Sequence, residues 1–271
     1  MANTRLADWF GRPDEELLRD ASWPAAHEDL LGELEAGRVR AAERGADGIW
    51  VTIEWVKRAI LLGFRRSGIV RFDAEPAPFF DKAGYPPRSF AIDDGVRIVP
   101  GGTSIRSGSF VAKGVVAMPP AYVNVGAYVD TGTMIDSHAL VGSCAQIGKD
   151  VHLSAGAQIG GVLEPVNRTP VVIEDGAFVG GLAGVFEGVI VRERVVLAAG
   201  VVLTAATVVY DLVHGCERRG EIPAGAVVIP GTRPARGDYA SSHGLQIAAP
   251  LIVKYRDDRT DASTALEAAL R

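Results

Sequence analysis

The stretch from Ile105 to Ile159 reads, in sixes, IRSGSF, VAKGVV, AMPPAY, VNVGAY, VDTGTM, IDSHAL, VGSCAQ, IGKDVH and LSAGAQ, then Ile159-Gly160. The first position of every block is aliphatic: Ile105, Val111, Ala117, Val123, Val129, Ile135, Val141, Ile147, Leu153 and Ile159. Four places on, the residues are small or β-branched, as at Ser109, Ala121, Ala127, Thr133, Ala139 and Ala145. A period of six fits neither the 3.6 of a helix nor the 2 of a flat strand. It predicts an all-β core, a left-handed parallel β-helix of hexapeptide repeats. Three repeats make one triangular coil, with the aliphatic residue inward and the small one easing the corner. Each coil buries its inner face only by stacking on the next.

Working outward, the rhythm begins near Val96 and slips after Ile159. It resumes at Ile173, Val179, Val185, Val191, Leu197 and Leu203. The surplus residues lie in Leu163-Glu164-Pro165-Val166-Asn167-Arg168-Thr169-Pro170, which reads as a projecting loop. Insertions in repeat folds mark one face, often the binding face. A second break spans Tyr210 to Gly220, and a repeat-like fragment returns at Ile222–Val228. Residues 231–245 read as a Gly/Pro/Ser-rich excursion, Gln246–Tyr255 as a strand, and Thr260–Arg271 as a terminal helix. Before the solenoid, helices are expected from Asp14, over Ala25–Arg38 and over Glu54–Phe64, with Trp50-Val51-Thr52 extended and Glu75–Pro87 a linker. The expected division is an N-terminal, mainly helical domain (1–95), the β-helix (96–230) and a C-terminal strand and helix extension (231–271).

The 271 residues carry a net charge of −5, with no dense Lys/Arg stripe, which argues against nucleic acid as a partner. No run of about 18 apolar residues suggests a membrane span. The first residues lack a basic then apolar leader, so a cytoplasmic location is expected. Two cysteines, Cys144 and Cys216, make no disulfide framework. The five histidines are scattered without zinc-type pairing, so no metal is expected.

Longer motifs sharpen the reading. Met118–Asp136, Val141–Lys149, Gly160-Gly161-Val162-Leu163-Glu164-Pro165 and Glu187–Val191 resemble the tetrahydrodipicolinate N-succinyltransferase family. So do Trp50-Val51-Thr52, Leu61–Arg65 and Ile252-Val253-Lys254, so the resemblance spans nearly the whole chain. It implies a homotrimer with sites between subunits. It implies succinyl transfer from succinyl-CoA to the amine of opened tetrahydrodipicolinate, on the diaminopimelate–lysine route, with acyl-CoA as co-substrate and no permanent cofactor. The family's G-F-R-V-V-P motif matches Gly95–Pro100, which makes Arg97 the expected clamp for a substrate carboxylate, a planar anion suited to a guanidinium fork. Its T-M-V-D motif matches Thr133-Met134-Ile135-Asp136, which makes Asp136 the expected general base and amine-orienting acceptor. For CoA, the coil turn at Ala199-Gly200 and the charge of Lys254 are the candidates.

The chain also departs from that pattern. Where the family has G-A-R-S-E-V-V-E-G, this chain has Gly180-Gly181-Leu182-Ala183-Gly184-Val185-Phe186-Glu187-Gly188. The family's arginine falls on Leu182 and its first glutamate on Gly184. His138 follows Asp136 by two residues and is of a residue type that can titrate near neutral pH, but a surface or turn histidine is the preferred reading. The alternatives are therefore a paralogue using acetyl-CoA or another amino-acid acceptor, in specialised metabolism of the tabtoxin kind, and a catalytically silent trimeric scaffold.

Overall fold

A six-residue repeat leaves room for a two-residue strand and a four-residue corner, and that unit recurs throughout the solenoid. The computed structural model describes residues 2–73 and 77–256. The expected helix over Thr260–Arg271 lies outside the described residues. Three parallel faces run along the prism. The first face stacks Arg97–Ile98, Val116–Ala117, Met134–Ile135, His152–Leu153, Phe178–Val179 and Val196–Leu197. The second stacks Ser104–Ile105, Tyr122–Val123, Leu140–Val141, Gln158–Ile159, Gly184–Val185 and Val202–Leu203. The third runs from Phe110–Val111 to Glu221–Ile222. The fold is the left-handed β-helix that the six-residue rhythm predicts.

Every aliphatic residue of both ladders is buried, and all but Ala117 belong to one continuous core. The small residue four places on is buried too, but it is not what turns the chain. The residue before it adopts a positive φ, as at Gly108, Gly126, Gly132 and Gly200. Non-glycines hold that conformation at His138, Cys144, Asp150, Leu182 and Arg194, at a cost of about 1–2 kcal/mol each.

The N-terminal region builds a second core on helices α1 (Ala2–Phe10), α2 (Asp14–Arg19), α3 (Trp23–Glu35) and α4 (Glu54–Arg66). That core includes Val125 and Cys144 of the solenoid, so the helices dock on the prism by shared apolar contact. The sequence reading missed α1 and set α3 two to three residues late, because Pro24 takes an early helical position rather than preceding the helix. The expected linker over 75–87 contains a strand instead. Phe79–Lys82 pairs antiparallel with Ile69–Phe72. Polar clasps join the two parts: Trp50 Nε1 donates to Glu174 at 2.8 Å, and Arg192 donates to the same carboxylate at 2.9 Å.

The upper end of the solenoid closes with Leu251–Tyr255 running antiparallel to Ala226–Ile229. The expected long strand over 246–255 is split at Ala249-Pro250, since proline cannot donate to the ladder. The 210–220 segment, expected only as a break in the rhythm, contains most of a hairpin, Val209–Asp211 with Cys216–Arg218. Asp211, 1% exposed, is its anchor. Its carboxylate accepts from Tyr255 Oη (2.7 Å), His214 Nδ1 (2.9 Å) and Arg218 (3.0 Å). Burial alone would raise this carboxyl. The hydrogen bonds outweigh it and hold the pKa well below the usual aspartate range, while the Tyr255 phenol is pushed up to about 12. A carboxyl depressed in the folded state stabilises fully above its unfolded pKa, and the gain is lost as pH falls from there toward the folded value. Asp211→Asn should therefore cost about 1–3 kcal/mol in urea unfolding at neutral pH. The loss should shrink below about pH 4, as wild type gives up the same stabilisation.

Candidate active site

The corner between the first and second faces carries the chemistry-bearing residues. Asp136 is the first residue of that corner, directly after the inward Ile135. One carboxylate oxygen accepts the Ser137 N–H at 2.8 Å, which fixes the group's orientation. The other stands 3.9 Å from His152 Nε2, too long for a direct hydrogen bond. The Asp136 side chain is 32% exposed and the His152 side chain 9%, so the acid is accessible beside a largely buried imidazole. A half-open, oriented carboxylate can receive a proton from an amine brought to the corner.

Register places Arg97, Val116, Met134 and His152 in one outward column of the first face. Arg97 is exposed and lies two coils below Met134, about 10 Å at the usual strand spacing. Arg97 and Asp136 therefore share one side of the prism. His138 is exposed, with φ +62°, and its backbone N–H donates to Pro120. The imidazole beside Asp136 is that of His152. The signal for it is a spacing of one full coil, eighteen residues from Met134 to His152.

Leu182 and Gly184 sit higher on the same edge. The second-face column runs Tyr122, Leu140, Gln158, Gly184, Val202. Gly184 is thus two coils above Leu140, about 10 Å along the prism from the Asp136 corner. Within one chain, Asp136 and Gly184 are not brought together. Leu182 is 76% exposed with φ +58°. Glu187 turns onto the next corner and accepts the Ala205 N–H at 3.2 Å. Of the CoA candidates, Ala199 and Gly200 are exposed on the same corner column as His138 and Leu182. Lys254 is exposed at the upper end of the first face, beside Val227.

The space beside Gly184 is filled by Phe186, which the sequence reading did not single out as a site residue. A Cβ at Gly184 would fall 2.5 Å from the ring, and one at Gly160 would fall 2.7 Å from it. Phe186 lines a cavity of about 400 Å³ with Gly160, Val162, Glu164, Arg168 and Thr204. The far wall is the projecting loop 163–170, and it is held from below. Lys57 of α4 is fully buried, and its ammonium donates to the carbonyls of Pro165 (3.1 Å) and Arg168 (2.6 Å). Gly188, at φ +77°, lets the Thr169 carbonyl pack where a side chain would collide.

Cys144 is fully buried and its thiol is pushed up to about 12, chiefly by burial, so it is no nucleophile at neutral pH. Among the described residues, no group of three or more His, Cys, Asp or Glu side chains is placed to hold a metal ion. Among them, too, no helix is long and apolar enough to cross a membrane.

A left-handed β-helix with a half-exposed carboxylate at a coil corner and a loop projecting over one face is the arrangement expected of a hexapeptide-repeat transferase. A model of the tetrahydrodipicolinate N-succinyltransferase N-terminal region matches residues 12–65, and one of the hexapeptide repeat of succinyl-transferase matches 170–205. A 2,3,4,5-tetrahydropyridine-2,6-dicarboxylate N-succinyltransferase of Azoarcus sp. (strain BH72) is 48% identical over 267 residues, covering 94% of this chain and 93% of the relative. The enzyme of the same name from Leptothrix cholodnii is 46% identical, over 95% and 94%. A solved Campylobacter jejuni structure, named for 2,3,4,5-tetrahydropyridine-2-carboxylate N-succinyl transfer, shares the fold at 18% identity with a TM-score of 0.54, covering 83% of this chain and 62% of that one. The chain belongs to the tetrahydrodipicolinate N-succinyltransferase family.

Proposed function

We propose that the protein is an acyl-CoA-dependent N-acyltransferase. It moves succinyl from succinyl-CoA to the amine of tetrahydrodipicolinate in its opened form, 2-amino-6-oxopimelate, on the diaminopimelate–lysine route. The observation that carries this reading is Asp136, oriented at an open corner on the side of the prism that also bears Arg97. Arg97 clamps a carboxylate of the acceptor. The amine nitrogen attacks the thioester carbonyl while Asp136 accepts its proton. The amide C–N bond forms, the C–S bond breaks, and CoA leaves as a thiol after taking up a proton. CoA runs along the corner column past Ala199-Gly200, with Lys254 near a phosphate.

The 10 Å between Asp136 and the Gly184 level supports a site completed by a neighbouring subunit, in a cytoplasmic homotrimer. The three-part division at 95 and 230 belongs to the same proposal, with the helical part bracing the projecting loop.

Gly184 and Phe186 favour a second reading, a paralogue with a different donor or acceptor. Thiol release measured side by side with succinyl-CoA and acetyl-CoA, on 2-aminopimelate as acceptor, separates the two. Faster turnover with succinyl-CoA is expected. A preference for acetyl-CoA would establish the paralogue, and no release with either donor would leave the silent scaffold.

A further inference from the structure

We propose that Phe186 is a specificity residue, and that its ring with Arg168 forms a subsite for a carboxylate-terminated aliphatic chain. The inference rests on the acyl-transfer reading above. Three observations carry it.

The first is the ring's position. It lies against Gly160 and Gly184, on two successive coils, so closely that a methyl at either would force it to move. Phe186 and the two glycines are one packing unit. The ring occupies the place that any side chain at 184 would take, and it turns this part of the second face from a position open to a polar group into an apolar wall.

The second is the composition of the cavity. Phe186, Gly160 and Val162 give an apolar floor, and Arg168 is the one cation among the described residues of a lining that also holds Glu164 and Glu187, of which Glu187 is engaged by the Ala205 N–H. Methylenes gain by packing on a flat aromatic face. A carboxylate is the anion that a guanidinium fork matches in geometry. A ligand with both features, a short aliphatic chain ending in a carboxylate, fits where a purely polar or purely apolar one does not.

The third is that the cavity is held open in advance. Lys57 fixes the loop backbone at Pro165 and at Arg168 itself, and Thr52 reaches Thr169 at 3.4 Å. Little ordering is left to be done on binding, the condition under which a subsite discriminates.

Two sources supply such a chain in the proposed reaction: the free end of a succinyl donor, and the far end of an amino dicarboxylate acceptor. Kinetics with matched pairs tell them apart. Succinyl-CoA is compared with butyryl-CoA, and 2-aminopimelate with 2-aminoheptanoate, each pair differing by one carboxylate. Phe186→Ala should raise KM about tenfold or more for the substrate whose chain lies in the cavity, with kcat changed little. Arg168→Ala should remove the preference for the carboxylate-bearing member of that same pair. A donor effect assigns the subsite to the acyl group, an acceptor effect to the amine substrate.

Gly184→Ala supplies the control. It places one methyl against the ring, and should reproduce the Phe186→Ala effect while adding nothing in the double variant. Folding is monitored by the urea midpoint; Phe186→Leu replaces Phe186→Ala, and Arg168→Gln replaces Arg168→Ala, where the alanine variant unfolds.

Unchanged KM values for both substrates in folded Phe186→Ala and Arg168→Ala would overturn the proposal while leaving the acyl-transfer reading intact. If wild type shows no turnover, that reading fails alone. Calorimetric binding of glutarate then decides the subsite: about tenfold weaker in Phe186→Ala supports it, and equal affinity overturns it.

Discussion

Asp136→Asn is expected to lower kcat by a factor of about 10² to 10⁴, the range for loss of a positioned general base. The substitution keeps the shape and the Oδ1 acceptor that the Ser137 N–H uses at 2.8 Å, so the corner should keep its conformation. What it removes is the ability to take the ammonium proton, and an unprotonated amine is the only form that attacks a thioester. The loss should fall on kcat and on kcat/KM for the amine, with KM for acyl-CoA nearly unchanged, because in the proposed mechanism the carboxylate acts on the acceptor. Thiol release at saturating acyl-CoA measures it. The rate difference should narrow as pH rises toward the amine's own pKa, where solution deprotonation replaces the enzyme's base. Equal losses at pH 7 and pH 9.5 would assign Asp136 a purely structural role.

How this site reads in the sequence depends on the scale at which its residues are coupled. The ladder from Ile105 to Ile159 is local. Each inward aliphatic residue repeats the same contact six residues on, so one dimension of sequence shows the prism. Arg97 and Asp136 are legible because each lies in a motif the family shares. His152 becomes visible only once coils are stacked, since its relation to Asp136 runs across one eighteen-residue turn. Phe186 is harder still. Its effect is to exclude side chains at Gly160 and Gly184, and an empty position gives no signal until the ring that fills it is placed. The loop was legible as a phase slip of two residues with prolines, but its anchor was not. Lys57 lies more than a hundred residues away, in what reads as the polar face of an amphipathic helix.

That anchor is the second large effect. Lys57→Met should destabilise the protein by about 2–4 kcal/mol, and Lys57→Ala by about 3–5 kcal/mol. The methionine keeps most of the stem volume and loses only the ammonium. It takes from the Arg168 carbonyl the donor that Lys57 now supplies at 2.6 Å, while the Pro165 carbonyl, 3.1 Å from the ammonium, keeps the Arg168 N–H at 3.2 Å, and a buried carbonyl without a donor costs about 1–3 kcal/mol. The alanine adds a cavity between α4 and the loop. Burial pushes the Lys57 pKa below the usual lysine range, so part of the gain from its two bonds is already offset by desolvation, which keeps the methionine figure modest. Urea unfolding of both variants at pH 7 reads the stability. Hydrogen exchange separates a local from a global effect: the 163–170 amides should exchange faster in Lys57→Met, while those of the inward ladder from Val123 to Leu153 keep their protection. The same loop forms the wall opposite Phe186, so a folded Lys57→Met enzyme should show a raised KM for whichever substrate Phe186 selects. An unchanged KM with a loosened loop would mean that the cavity holds its shape without the anchor, which the position of Lys57 beneath Arg168 argues against.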